Sequence, residues 1–332
     1  MTQGLLQLAT TGTVSGLQNN QAANTALAAL AGMIQGGSAP TPASTGLAST
    51  SGVWWHDTTN NQVKLRDQAD ANWMPAASVD ETNKLVLLLL RSYLAGLTLS
   101  NDGTSPNTVI DVSAGVCADD TNVAMLNLPS GQTINGATTG AGGLDTGSLA
   151  ASTWYHVFVI GKPGGGAGAL VASTSLASPA FPTGYTLKRR IGSFKTDASA
   201  HILGFKQLGD EFLLGISLHD VTLTNTFGLT AQLLTLTVPT GVQVTAKIRA
   251  TMGDVAGTGA FEGILTSPDE SDQAPGAIGP CDIEVNATNT TLAANLSIRT
   301  NTSAQIRARS SAINQALNIW TYGWLDTRGR FS

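Results

Sequence analysis

Charge is scarce in this 332-residue chain: only 12% of positions are Asp, Glu, Lys or Arg, about half the share usual in a globular protein. The exposed surface therefore has to be carried by Thr, Ser, Asn, Gln and Gly. The balance of 17 basic against 22 acidic residues leaves a formal net charge of −5. A phosphate-bearing partner needs clustered cations, so nucleic acid and an anionic membrane surface are excluded as main partners. Long apolar runs are missing too. The longest is Leu85 to Leu90, far short of the roughly 18 residues that cross a bilayer. Residues 1–10 hold no Lys or Arg and no apolar stretch of signal-peptide length, which predicts cytoplasmic synthesis without membrane insertion. Cysteine is limited to Cys117 and Cys281, far apart and without CxxC spacing. This excludes a disulfide framework and fits two buried thiols in a reducing compartment.

Catalytic signatures are equally sparse. Asp145-Thr146-Gly147 is the triplet that aspartic proteases use as a pair sharing one proton, but one copy occurs, in a Gly-rich stretch; it reads as a turn. Gly161-Lys162 has His156 where a phosphate-binding loop needs its first glycine and Pro163 where it needs Ser or Thr, so it reads as a hairpin loop. His56, His156, His201 and His219 show no metal-ligand spacing, and no GxSxG is present. Asp119-Asp120, Asp210-Glu211 and Asp269-Glu270 with Asp272 read as solvated turns or calcium loops. A glycosidase would need two such carboxylates roughly 5 to 9.5 Å apart across a cleft. No cofactor and no metal are predicted. Lys188-Arg189-Arg190 is the one dense basic cluster; it predicts a solvated face, pairing with a neighbouring subunit, or contact with acidic sugars.

What is present divides the chain into five stretches. Residues 1–63 carry a single charge, Asp57. Ser15-x-x-Gln18 has capping-box form, and Leu27, Leu30, Ala31 and Ile34 follow helical spacing, predicting a helix over about 16–35 that ends at Gly36-Gly37. Its uncharged, small-residue opposite face suits packing on copies of itself, in a protein socket, or in an ordinary core. A Gly/Ser/Pro/Thr linker to residue 52 follows. Residues 53–78 form a hairpin-sized unit with Trp54, Trp55 and Trp73 about an Asn60-Asn61 turn, too small to bury three tryptophans alone. Ser78-x-x-Glu81 predicts a second helix within 79–96, with Leu85, Leu88 and Leu89 on a nearly all-apolar surface, buried in an oligomer or in one chain's core. From residue 97 the pattern is β. An antiparallel domain is predicted over 97–218 and a C-terminal β-sandwich, jelly-roll-like, over 219–332, where Gln305-Ile306-Arg307-Ala308-Arg309 alternates cleanly. The fold class is mainly β with short N-terminal helices.

Several stretches resemble structural proteins of tailed bacteriophages. Trp55-His56-Asp57-Thr58, Leu65-Arg66 and Asn72-Trp73 are similar to a short W-x-D-T…L-x-R…N-x-W module of tail fibres and other virion appendages. Residues 79–84, 149–158, 182–185 and 188–194 resemble a domain seen in many phage tail proteins, so that the likeness covers roughly 50–217. Tyr322-Gly323-Trp324-Leu325-Asp326-Thr327-Arg328-Gly329 resembles the end of such proteins. The resemblance carries no catalytic motif. It implies a homotrimeric virion appendage, joined to other tail or baseplate proteins through its N-terminal part and presenting its distal β domain to a host-surface polysaccharide or protein receptor. Leu27, Leu30, Ile34, the three tryptophans and Leu85, Leu88 and Leu89 are the expected assembly residues. Two other readings stand beside it: a collar, neck or head-attached scaffold without a receptor, and a polysaccharide depolymerase using acids such as Asp269 and Glu270.

Overall fold

A computed structural model of the chain describes residues 34–36, 38–41, 52–80, 85–163, 166–255, 257 and 259–330. Among these residues every regular element is a strand. A first sheet holds β1 (Ile34–Gly36), β2 (Trp54–Asp57), β3 (Gln62–Arg66), β4 (Trp73–Asp80) and β5 (Leu85–Leu88) in sequence order. The next strands are β6 (Leu94–Gly96), β7 (Leu99–Asn101), β8 (Val109–Val112), β9 (Gly115–Ala118), β10 (Met125–Leu128), β11 (Gln132–Asn135) and β12 (Gly143–Leu144). They are followed by β13 (Trp154–Gly161), β14 (Ala169–Ser173), β15 (Leu187–Lys195), β16 (Phe205–Leu208) and β17 (Glu211–Phe227). The remainder are β18 (Gln232–Thr235), β19 (Thr245–Gly253), β20 (Phe261–Thr266), β21 (Ile283–Val285), β22 (Thr291–Arg299), β23 (Gln305–Ser310) and β24 (Gln315–Leu325).

Two cores are strung along one eight-stranded sheet of order β11-β8-β7-β16-β17-β24-β19-β22. Its first half closes with the three-stranded β10-β9-β6 sheet and the four-stranded β12-β14-β13-β15 sheet over Leu99, Ile110, Val157, Val159, Leu170 and Phe194. Its second half faces the four-stranded β18-β23-β20-β21 sheet over Ile248, Met252, Phe261, Ile306, Leu317 and Ile319. In β23, and in β24 as far as Gly323, inward and outward positions alternate, as a sandwich with one wet face requires. Trp324 anchors the junction, parallel to Phe212 at 5.1 Å and edge-on to Trp154 at 5.3 Å. A side chain at the neighbouring Gly323 would collide with the Phe212 carbonyl oxygen.

Three expectations are corrected. The helix placed within 79–96 is absent: β4 pairs antiparallel with β5 (Ala77 with Leu88, Asp80 with Leu85), and Leu94–Gly96 is strand β6. An unbroken apolar run has no period, so it fits a strand as well as a helix, and Ser92 at φ 56° sits in the left-handed region, which a right-handed helix does not admit. The helix over 16–35 lies outside the described residues, Leu27 and Leu30 with it, except at its end. There Ile34–Gly36 is a strand, parallel to β2 with Ile34 beside Trp55. The boundary drawn at 218/219 falls inside β17, a 17-residue strand. β17 pairs with β16 at its start and with β24 from Glu211 to Phe227, so the two expected units share a sheet. The thiols differ from expectation as well: Cys117 is buried and Cys281 exposed.

Candidate functional site

Two places gather the residues singled out from the sequence. The first is the N-terminal sheet. Cross-strand partners share a face, and the register puts Trp54, Leu65 and Met74 in one row across β2, β3 and β4. His56, Val63, Ala77 and Leu88 form a second row on that face, with Val79 opposite Val86 beyond it. Leu88 is 68% exposed, Val86 64%, Trp54 46% and Met74 45%. One side of the sheet is thus a mainly apolar surface, open to solvent at Trp54, Met74, Val86 and Leu88 and interrupted by His56.

The other side is a self-contained small core, which explains the module. Trp55 and Trp73 meet edge-to-face at 5.2 Å, Lys64 sits 5.0 Å from the Trp55 ring and Arg66 5.3 Å from the Trp73 ring. Buried Asp57 pairs with Lys64 at 2.6 Å and accepts hydrogen bonds from the Thr59 and Asn60 amides, closing the turn. Burial works against its charge, but the Asn60 and Lys64 bonds outweigh it and hold the carboxyl below the usual range. Asn72 donates to Asp67 at 2.8 Å, and Arg66 binds Asp70 at 2.9 Å. Two of the three tryptophans therefore find partners within the chain, and only Trp54 faces outward. Ser78 and Gln62 tie this side to the body: the Met125 amide donates to Ser78 Oγ at 2.9 Å, and Gln62 Nε2 donates to the Val123 carbonyl at 2.8 Å. The apolar face thus points away from it.

The second place is the basic cluster on β15, where the expected solvated or ligand-contacting face is not found. The ladder between β13 and β15 shifts register at Val157/Phe158, and Arg189 and Arg190 are both buried. Arg190 grips Asp326 with two bonds, of 3.1 and 2.6 Å, and Arg189 donates to the Arg328 carbonyl at 2.9 Å. Arg328 and Arg330 in turn pair with Asp210. Lys188, half-buried, donates to the Ala177 carbonyl at 2.9 Å. Asp326 feels burial first, which raises its pKa, but Arg190 more than compensates and keeps the carboxyl below its ordinary value. His156 lies alongside, its Nδ1 2.9 Å from Ser193 Oγ and 3.3 Å from Arg190 Nε. Burial, then the Arg190 charge, lowers its pKa to about 4, so it is a neutral acceptor at pH 7. The cluster fastens the segment after β24 to β15. Sequence reading missed Asp326 and Asp210 as the partners, because nothing local connects residues more than a hundred positions apart.

The remaining acids are dispersed among pairs. Asp269 binds Arg299 at 2.9 Å and Asp272 binds Arg309 at 2.8 Å. Glu211 pairs with Lys247, and Asp119 accepts the Thr121, Val123 and Ala124 amides of its own loop. Asp145 lies just after β12 and accepts from Ser173 Oγ at 2.6 Å, a turn as expected. Asp269, Glu270 and Asp282 line an open cavity of about 360 Å³ beside β22; partial desolvation raises the Asp282 pKa. Among the described residues no group of three His, Cys, Asp or Glu could hold a metal ion, and no helix is long and apolar enough to cross a membrane.

No protein-family model and no curated protein matches the chain. Among solved structures, that of infectious bursal disease virus, Gx strain, aligns at 10% identity over 70% of this chain and 71% of the other, with a TM-score of 0.21. An exo-β-1,3-galactanase of Phanerochaete chrysosporium, solved with galactose, aligns at 10% identity over 79% and 65%, with a TM-score of 0.16. Likenesses this slight carry no argument about fold or function.

Proposed function

We propose that the chain is a non-enzymatic structural component of a tailed-phage virion, a homotrimeric tail-fibre or tail-tip protein whose C-terminal sandwich meets the host surface. The observation that carries this reading is the outward face of the N-terminal sheet. A two-layer rule governs sheets: an apolar face is covered by another element. The exposed parts of Trp54, Met74, Val86, Leu88 and Leu90 add up to an apolar patch on the order of 400 Å², within the range of the largest patches on monomers and often functional at that size. Copies of the chain meeting on this face would make it the centre of a standard interface. The phage-like wording of the Trp module and the low charge of the surface support the same reading. Of the assembly residues expected from the sequence, Trp54 and Leu88 lie on this face, with Val86 beside them, whereas Trp55 and Trp73 are used internally.

Light scattering on the purified chain tests the assembly. A native mass near three times 34.0 kDa is expected, falling to one chain on Leu88→Asp. A stable monomer of the unaltered chain overturns the trimer. Antibody labelling of particles in the electron microscope tests the location: label at the tail tip is expected, and label at head or neck replaces the tail-tip role with the scaffold reading.

A further inference from the structure

The outer face of the second sandwich differs in kind from the apolar N-terminal face. β17, β24, β19 and β22 are neighbours there, and the register lines up His219, Trp320, Arg249 and Asn295 in one row, one residue per strand. These are the outward positions, since Val221, Ile319, Ile248 and Ala250 point into the core. Four strands at the usual spacing span about 14 Å, wide enough for a short run of sugar rings. His219 lies parallel to Trp320 with centroids 4.4 Å apart and is fixed by a 3.1 Å bond between its Nε2 and Thr222 Oγ1. No second ring or cation covers the other side of the indole among the described residues.

Arg249 supplies the charge. Its guanidinium lies 4.6 Å from the Tyr322 ring centroid and donates to Ser217 Oγ, and no carboxylate lies within 4.0 Å of it among the described residues. The neighbouring Lys247 is neutralised by Glu211. An exposed cation already ordered by stacking and a hydroxyl has prepaid part of the ordering entropy of binding, and its fork matches a carboxylate. Around it stand the amides of Asn318 and Asn295 and the hydroxyls of Ser217 and Thr251, with Ile216 the one large exposed aliphatic side chain beside them. That composition favours hydroxyl-rich ligands over a protein surface. Nucleic acid is disfavoured because the cations nearest Arg249 on this face, Lys247 and Arg299, are already paired with Glu211 and Asp269, in a chain of net charge −5.

We propose that this row is a binding site for an acidic polysaccharide, in which Arg249 pairs with a sugar carboxylate while Trp320 packs against a ring and the amides meet hydroxyls. The assignment rests on reading the C-terminal sandwich as the host-facing part of the protein, and names where on it the contact lies.

The test is electrophoresis of the full chain through native gels containing polygalacturonate or alginate, with dextran as the neutral control. Retardation by the acidic polymers and not by dextran is expected. Trp320→Ala weakens it at least tenfold. Arg249→Gln, a change at an exposed side chain that the fold tolerates, removes the preference for acidic over neutral polymer. Equal mobility of the unaltered chain in all gels overturns the site, as does retardation unaffected by Arg249→Gln. A change of native mass in Trp320→Ala also overturns it, because the face is then covered by a second copy. The two readings fail separately: a monomer that is still retarded keeps the site and overturns the trimer, whereas an unretarded trimer overturns the site alone.

Discussion

Replacing Asp326 by Asn probes how firmly the last strand is locked to the rest of the protein. The carboxylate receives two bonds from Arg190, 3.1 and 2.6 Å, and one from the Arg328 amide at 2.8 Å, and both side chains of the pair are less than a tenth exposed. Asn keeps the shape and one acceptor oxygen but leaves a buried guanidinium without a counter-charge. Breaking a buried pair in this way costs about 3 to 5 kcal/mol, a third or more of a typical domain's total of about 5 to 15 kcal/mol. Urea unfolding followed by tryptophan fluorescence, with Trp324 and Trp154 close to the junction, reads the change as a lower midpoint at unchanged slope. Arg190→Met with Asp326→Leu removes both charges together and is expected to recover most of the loss, since the paired ions were themselves expensive to desolvate. A loss below about 1 kcal/mol for Asp326→Asn, or a double variant as unstable as the single, refutes the reasoning. The pH dependence has a fixed sign. Because the folded carboxyl titrates below its unfolded value, its contribution is present above about pH 4 and disappears as the pH falls through the folded pKa.

His156 adds a second, separable acid sensitivity. Its folded pKa of about 4, against 6.5 for an ordinary imidazole, means that the unfolded chain takes the proton first. Stability therefore falls between pH 6.5 and 4 by about 3 kcal/mol, and His156→Gln flattens the urea midpoint over that window. The thiols differ in reactivity: native protein titrated with an aromatic disulfide reagent releases one equivalent from exposed Cys281, while Cys117, buried and with its thiol pushed up to about 12, reacts only after denaturant is added. Trp55→Ala, which empties the small core against Trp73 and Lys64, lowers stability by about 3 to 5 kcal/mol; a loss under 1 kcal/mol by thermal unfolding contradicts that core.

What the sequence disclosed and what it hid follow from the range of the interactions. Alternation within Gln305–Ser310 is a local property, so the sandwich strands could be read. The spacing of Trp55, Asp57, Arg66 and Trp73 reflects contacts inside one small sheet, so the module could be read too, though not which tryptophan faced out. Leu85–Leu88 misled because four apolar residues in a row fit a strand paired with β4 as well as a helix buried all round. Lys188-Arg189-Arg190 misled for the opposite reason: three adjacent cations look solvated, and only the register shift opposite Phe158, with the Asp326 carboxylate and the Arg328 carbonyl from more than a hundred residues away, makes the two buried arginines tenable. The break placed at 218/219 fell inside β17, whose register shifts against β24 between Leu213 and Leu218; sequence alone does not show that one long strand runs through both units.

The position of β24 between β17 and β19 also dictates the order in which the molecule can be made. Both neighbours leave the ribosome before it does, with two bare ladders and no strand to fill the space between them. Until residues 315–325 arrive, β17 and β19 present edges that can only pair wrongly, with each other or with another nascent chain. A sheet closed by its last strand has a high contact order and folds slowly, and the interval before closure is when aggregation competes. Yield on expression is therefore governed less by the finished fold's stability than by how long those two edges wait.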